Sequence, residues 1–188
     1  MSPRRTGAAV VALVATTGVL GGCSDADSPK AGGPMRGYPV HGYAITVAPG
    51  HTFTDGLESL VIRGDKPATL NSVELVGAEG MEILGYKLVG PERKVNGQWW
   101  PGYPPKGRQL QQALVVPSTS TIRPHEPGGW ELLLGIKVTK PGPLWRDGLR
   151  YTYTVDGVRY TKTVPAQLKV CTSTAQEVDG SCPPPKGY

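Results

Sequence analysis

The sequence predicts an all-β fold, an antiparallel β-sandwich of about seven to nine short strands. Three observations carry that expectation. From about His41 onward apolar and polar residues alternate with period two, and no stretch sustains helical periodicity beyond two turns. The 188 residues include 26 Gly and 19 Pro, which cluster between the alternating runs as turn formers. Asp156-Gly157 stands between two such runs, a dipeptide suited to the type I′ turn of a tight hairpin. The single Phe is Phe53, so Val, Leu, Ile, Tyr and Trp must supply the core. These residues suit a half-buried pleated surface.

At the N-terminus, Arg4-Arg5 precedes an apolar centre from Ala8 to Leu20. A bilayer core needs about 20 predominantly apolar residues to be crossed by a helix. This centre is shorter and diluted by Thr16, Thr17 and Gly18, so a secretory signal over 1–22 is expected. The segment closes on Leu20-Gly21-Gly22-Cys23. That arrangement resembles the lipobox of bacterial lipoprotein precursors, with an aliphatic residue, two small residues and a cysteine. The small residues let an extended backbone enter a peptidase cleft, and the thiol receives a diacylglycerol. The resemblance implies that Cys23 is lipidated, becomes the mature N-terminus and holds the protein on the outer face of the cell membrane. Each buried methylene contributes about 0.8 kcal/mol to such an anchor, so two or three acyl chains hold it durably.

Residues 23–40 read as a lipidated flexible tether, rich in Ser, Gly, Pro, Asp and Lys, with little to bury. Treated as a Gly-rich coil it spans roughly 20–25 Å. The formal charge is +5; without Arg4 and Arg5 the excess falls to +3, with no Lys/Arg run to track phosphates. Nucleic acid is therefore not an expected partner.

The sandwich domain is expected over 41–172. Its strands fall at 43–48, 57–63, 69–76, 81–89, 110–116, 130–138 and 166–171, together with the hairpin over 149–164. In that hairpin the turn pairs Val155 with Val158, Tyr153 with Tyr160, Tyr151 with Lys162 and Leu149 with Val164. One face is then apolar or aromatic, and the other carries Arg150, Thr152, Thr154, Arg159, Thr161 and Thr163. A one-residue slip would drive the polar set inward, so the register is well specified. Trp145 is expected to cap one end of the core. Beyond the domain, 173–188 is a tail. With Cys23 assigned to lipid, Cys171 and Cys182 remain as an even pair in an oxidising compartment, and Asp179-Gly180 can turn the chain between them. A disulfide closing that loop would contribute about 3 kcal/mol.

The segment Ser72–Tyr86, the Gly-Trp-Glu-Leu before Leu133 and the Asp-Gly hairpin are features this chain shares with the immunoglobulin-like domains of secreted actinobacterial lipoproteins, which it resembles over about 43–171. It lacks the Cys…Trp…Cys core of antibody domains. The resemblance implies an immunoglobulin-like sandwich and no activity.

Chemistry is sparse. His41, His51 and His125 form no metal-binding spacing, and there is no GxSxG, no SxxK with KTG, and no cysteine left for catalysis. No enzyme activity, metal or cofactor is expected. Met35, Met81 and a histidine would suit Cu(I) in a copper carrier. However, Met35 falls in the tether, and a core role suffices for Met81. The segment 96–107 holds Trp99, Trp100 and Tyr103 among three prolines, between two expected strands. As a stiff aromatic loop it could contact a cell-wall polymer or a protein partner. Alternatively, Trp99 or Trp100 folds back and plugs one end of the sandwich. The expected function is a membrane-anchored binding or interaction module, with a structural subunit of an exported assembly as the alternative.

Overall fold

The computed structural model describes residues 28–37, 40–91, 98–106, 115–116 and 121–172, with the side chains of Val40, His41, Val115 and Val116 outside that description. Alternation of buried and exposed residues produces an all-β protein of two mostly antiparallel sheets, the arrangement of a β-sandwich. Seven strands are long: β3 (Val40–Thr46), β4 (Thr52–Ile62), β5 (Ala68–Val76), β6 (Met81–Val89), β10 (Trp130–Val138), β11 (Leu144–Val155) and β12 (Val158–Cys171). Five are short: β1 (Lys30–Ala31), β2 (Met35–Gly37), β7 (Trp99–Pro101), β8 (Val115–Val116) and β9 (Thr121–Ile122). The expected seven to nine strands thus become twelve among the described residues. Two- and three-residue strands are too short to show a period.

One sheet runs β1-β12-β11-β5-β9, with β3 also on β12; the other runs β2-β4-β10-β6-β8, with β7 also on β4. Among the described residues only β1 and β3 pair in parallel, both along β12. Leu60, Leu132, Leu134 and Ile136 of one sheet share a continuous core with Leu70, Leu149, Tyr153 and Leu168 of the other.

The hairpin forms as its alternation dictates. Val155 faces Val158, Tyr153 faces Tyr160, Tyr151 faces Lys162 and Leu149 faces Val164. Asp156 and Gly157 take φ of 49° and 75°, the left-handed values that a type I′ turn requires. The strands at 81–89 and 130–138 also match their expected bounds.

Four expectations are corrected. Part of the tether is sheet: β1 pairs with β12 and β2 with β4, and Met35 is wholly buried in the core. A lone Met among Gly and Pro has no periodic partner, so the sequence hides its burial. The strand expected at 57–63 begins at Thr52, because its inner face carries charged residues that mask the apolar pattern. The strand expected at 166–171 is the continuation of β12 through Pro165. There the β11–β12 register shifts between Arg146 and Gly148, and Pro165 stands opposite Gly148, a place where a missing N–H is tolerated. Trp145 caps nothing; it is 39% exposed, with the Lys169 ammonium 4.9 Å from its ring centroid.

Candidate functional site

The segment 98–106 folds along the second sheet instead of looping free. Its strand β7 adds to the edge of β4, setting Phe53 against Pro101, Thr54 against Trp100 and Asp55 against Trp99. Hydrogen bonds from Gly56 N to the Gln98 carbonyl (3.0 Å), Gly102 N to the Thr52 carbonyl (2.8 Å) and Thr54 Oγ1 to the Gly102 carbonyl (2.6 Å) hold it there. The aromatic side chains then divide. Trp100 lies on the outer face of the sheet against Val89 and Leu133. Its ring occupies the space beside Gly56, where an added Cβ would come within 2.5 Å of it. Tyr103 lies flat over Gly135, where a Cβ would meet three ring carbons at 2.3 to 2.5 Å. Gly85, the register partner of Gly135, leaves room for the Tyr103 hydroxyl. Burial pushes the Tyr103 hydroxyl pKa up.

Trp99 is different. It is 41% exposed and borders a cleft of about 200 Å³, where the turn from β3 into β4 meets β7. Val47, His51, Phe53 and Pro101 line the same cleft, which is mostly apolar. Exposed apolar surface of this kind marks binding sites more often than a scattered surface residue does. Neither expected arrangement of the tryptophans describes the whole. Trp100 and Tyr103 clamp the segment to the sheet, and Trp99 is what they present.

A second constellation, unsuspected from sequence, lies inside the sandwich. In the β4–β10 register Glu58 faces Leu132 and Asp55 faces Leu134, so Gly56 and Leu57 together oppose Leu133. This is a β-bulge. Residues three apart on a regular strand point to opposite faces, and the extra residue brings Asp55 and Glu58 to the same inner face. Arg146 of β11 meets both, with Nη1 to Asp55 Oδ2 at 2.7 Å and Nη2 to Glu58 Oε1 at 3.1 Å. Its Nε also donates to the Ala166 carbonyl at 2.7 Å. All three charged residues are wholly buried.

Burial, with Asp55 second, pushes the Glu58 carboxyl up to about 8 despite Arg146. Burial pulls Arg146 down, but Asp55, Tyr43 and Glu58 outweigh it and hold the guanidinium above its ordinary value. The Tyr43 hydroxyl is pushed well up by burial and then by Asp55, and that of Tyr151 by burial and then by Glu58. No substrate can reach such a group directly; its chemistry is that of a structural ion cluster.

The other sequence candidates stay apart or fall elsewhere. His51 is exposed in the β3–β4 turn, and His125 pairs with exposed Asp65 at 3.2 Å. Met81 is core. Among the described residues no group of three or more His, Cys, Asp or Glu is placed to hold a metal ion. Cys171 ends β12 in the interior, 2% exposed. Leu20, Gly21, Gly22, Cys23 and Cys182 lie outside the described residues, as does the tail 173–188. No protein-family model matches the chain, and no curated protein matches it.

Proposed function

We propose that this protein is a membrane-anchored extracytoplasmic lipoprotein whose β-sandwich serves as a binding module, with the Trp99 cleft as its contact surface. The observation that carries the binding reading is Trp99 itself. A large aromatic side chain is kept 41% exposed while its neighbours Trp100 and Tyr103 are spent on fixing the strand that bears it. A rigidly held aromatic face costs little entropy on binding and stacks on sugar rings, prolines or a partner's apolar surface. A cell-wall polymer is the partner we favour, because acylated Cys23 would keep the module beside the wall. The lipid anchor rests on the Leu20-Gly21-Gly22-Cys23 motif. A Cys171–Cys182 disulfide belongs to the same reading, since the exported compartment is oxidising.

The immunoglobulin-like reading draws support from strand order. The long strands run β4-β10-β6 in one sheet and β3-β12-β11-β5 in the other, with β2 beside β4. With β2 taken as strand A, β2-β4-β10-β6 follows the ABED order and β12-β11-β5 the GFC order of that fold, and β3 is an added strand running parallel to β12.

The anchor is tested by mass spectrometry of the membrane fraction, where an acylated N-terminal Cys23 peptide is expected. An unmodified soluble chain would end that part of the proposal. The cleft is tested by co-sedimentation with purified peptidoglycan. Trp99→Ala is expected to bind about tenfold more weakly, whereas Trp145→Ala, which removes an equally exposed tryptophan from the other sheet, is expected to bind as the native chain does. Equal losses, or none, would refute the assignment of Trp99.

A further inference from the structure

We propose that Asp55, Glu58 and Arg146 form a proton-operated lock between the two sheets, closed while Glu58 carries a proton and weakened when that proton leaves. The inference does not depend on what the cleft binds.

The geometry sets up the imbalance. Two carboxylates from β4 share one guanidinium from β11 in a space without solvent access. Asp55 has the better half of the arrangement. It takes the 2.7 Å contact from Arg146 on Oδ2 and the backbone N–H of Leu57 on Oδ1 at 3.1 Å. Glu58 takes the 3.1 Å contact on Oε1, and its Oε2 is buried with no hydrogen-bond partner. A buried carboxylate oxygen without a donor is costly, whereas a protonated one is neutral and becomes a donor itself. The Tyr151 hydroxyl is likewise buried without a partner, and Glu58 is its strongest charged neighbour.

Burial and Asp55 favour the protonated form of Glu58, and Arg146, which Asp55 also engages, opposes them without prevailing. β4 contributes Asp55, β11 contributes Arg146 and Tyr151, and β3 contributes Tyr43, whose hydroxyl is turned toward Asp55. β10 and β12 present apolar Leu132, Leu134, Ala166 and Leu168. The cluster is therefore neutral with one proton on Glu58 and carries an uncompensated negative charge without it. That charge would sit between the strands that join the sheets through Arg146.

Linkage fixes the direction. The folded chain holds the Glu58 proton up to about pH 8, and an unfolded chain releases it near 4.5. Between those values the native state binds one more proton than the unfolded state, so rising pH favours unfolding. The lock is fully effective below about 4.5 and is lost as pH rises through about 8.

The experiment compares the native protein with Glu58→Gln, which keeps the shape and removes the titration. Urea unfolding of both is followed from pH 5 to 9. The ratio of their unfolding constants, native over variant, is expected to rise about tenfold per pH unit up to 7 and to level off above 8. Histidines and surface carboxylates are common to both chains and cancel in the ratio. A ratio that stays constant with pH would overturn the proposal. Should the variant fail to fold, carbon-detected NMR titration of the Glu58 carboxyl in the native protein gives the same answer. A midpoint near 8 supports the lock, and one near 4.5 overturns it.

Discussion

Replacing Arg146 by Met puts the buried cluster to its severest test. Met approximates the length of the arginine stem and removes the charge. The native guanidinium makes three hydrogen bonds, to Asp55, Glu58 and the Ala166 carbonyl. The two charge-assisted bonds are worth about 1.5–3 kcal/mol each and the carbonyl bond about 1 kcal/mol. Against this gross loss, the variant no longer buries a guanidinium, which offsets several kcal/mol. Because Glu58 keeps its proton at neutral pH, Asp55 is the charge left uncompensated. The net expectation is a destabilisation of about 3–5 kcal/mol, a large part of the 5–15 kcal/mol that stabilises an ordinary domain. Urea unfolding at pH 7, followed by circular dichroism, measures it. With a slope of about 2 kcal/mol per molar urea, the midpoint should fall by roughly 2 M. The triple variant Asp55→Leu/Glu58→Met/Arg146→Met removes every charge and should recover most of the loss, since a buried ion set is often replaced by apolar residues of similar volume at no net cost. A loss below about 1 kcal/mol in Arg146→Met would refute the reasoning, as would a triple variant no more stable than the single one.

Two further outcomes follow from close approaches elsewhere. Gly135→Ala places a methyl where the Tyr103 ring lies, so Tyr103 must leave the sheet; thermal unfolding should show a loss of about 1–3 kcal/mol from this overpacking, together with faster proteolysis near 98–106. Tyr153→Phe removes the hydroxyl that donates to the Gly32 carbonyl at 2.6 Å and accepts from Met35 N at 3.2 Å. A cost of about 1–3 kcal/mol is expected, with amide exchange accelerated at Met35 and unchanged in β10.

How much could be read from residues alone depended on range. The hairpin from Leu149 to Val164 was legible residue by residue, because Asp156-Gly157 sets its register locally and alternation sets its faces. Strands β6 and β10 were legible for the same reason, their inner positions being apolar throughout most of their length. The candidate contact was legible only in part. A Trp-Trp-Pro segment advertises itself by composition, but which indole faces water follows from Gly56, Gly85 and Gly135 on strands far away in sequence.

The ion cluster had no sequence signal. Asp55 falls before the strand expected at 57–63 and Glu58 at its second position, with no pattern to single either out, and Arg146 is one basic residue among twenty. Local chemistry, then, was enough to determine the Asp156-Gly157 turn and the faces of the hairpin it joins, since each depends on neighbours within a few bonds. Tertiary structure alone decided that a bulge at Gly56-Leu57 turns two carboxylates inward, that Arg146 arrives from the opposite sheet to meet them, and that Met35 closes the core. The physical reason is that burial of a charge, and the fate of its proton, depend on what lies across the sandwich, which no stretch of neighbouring residues encodes.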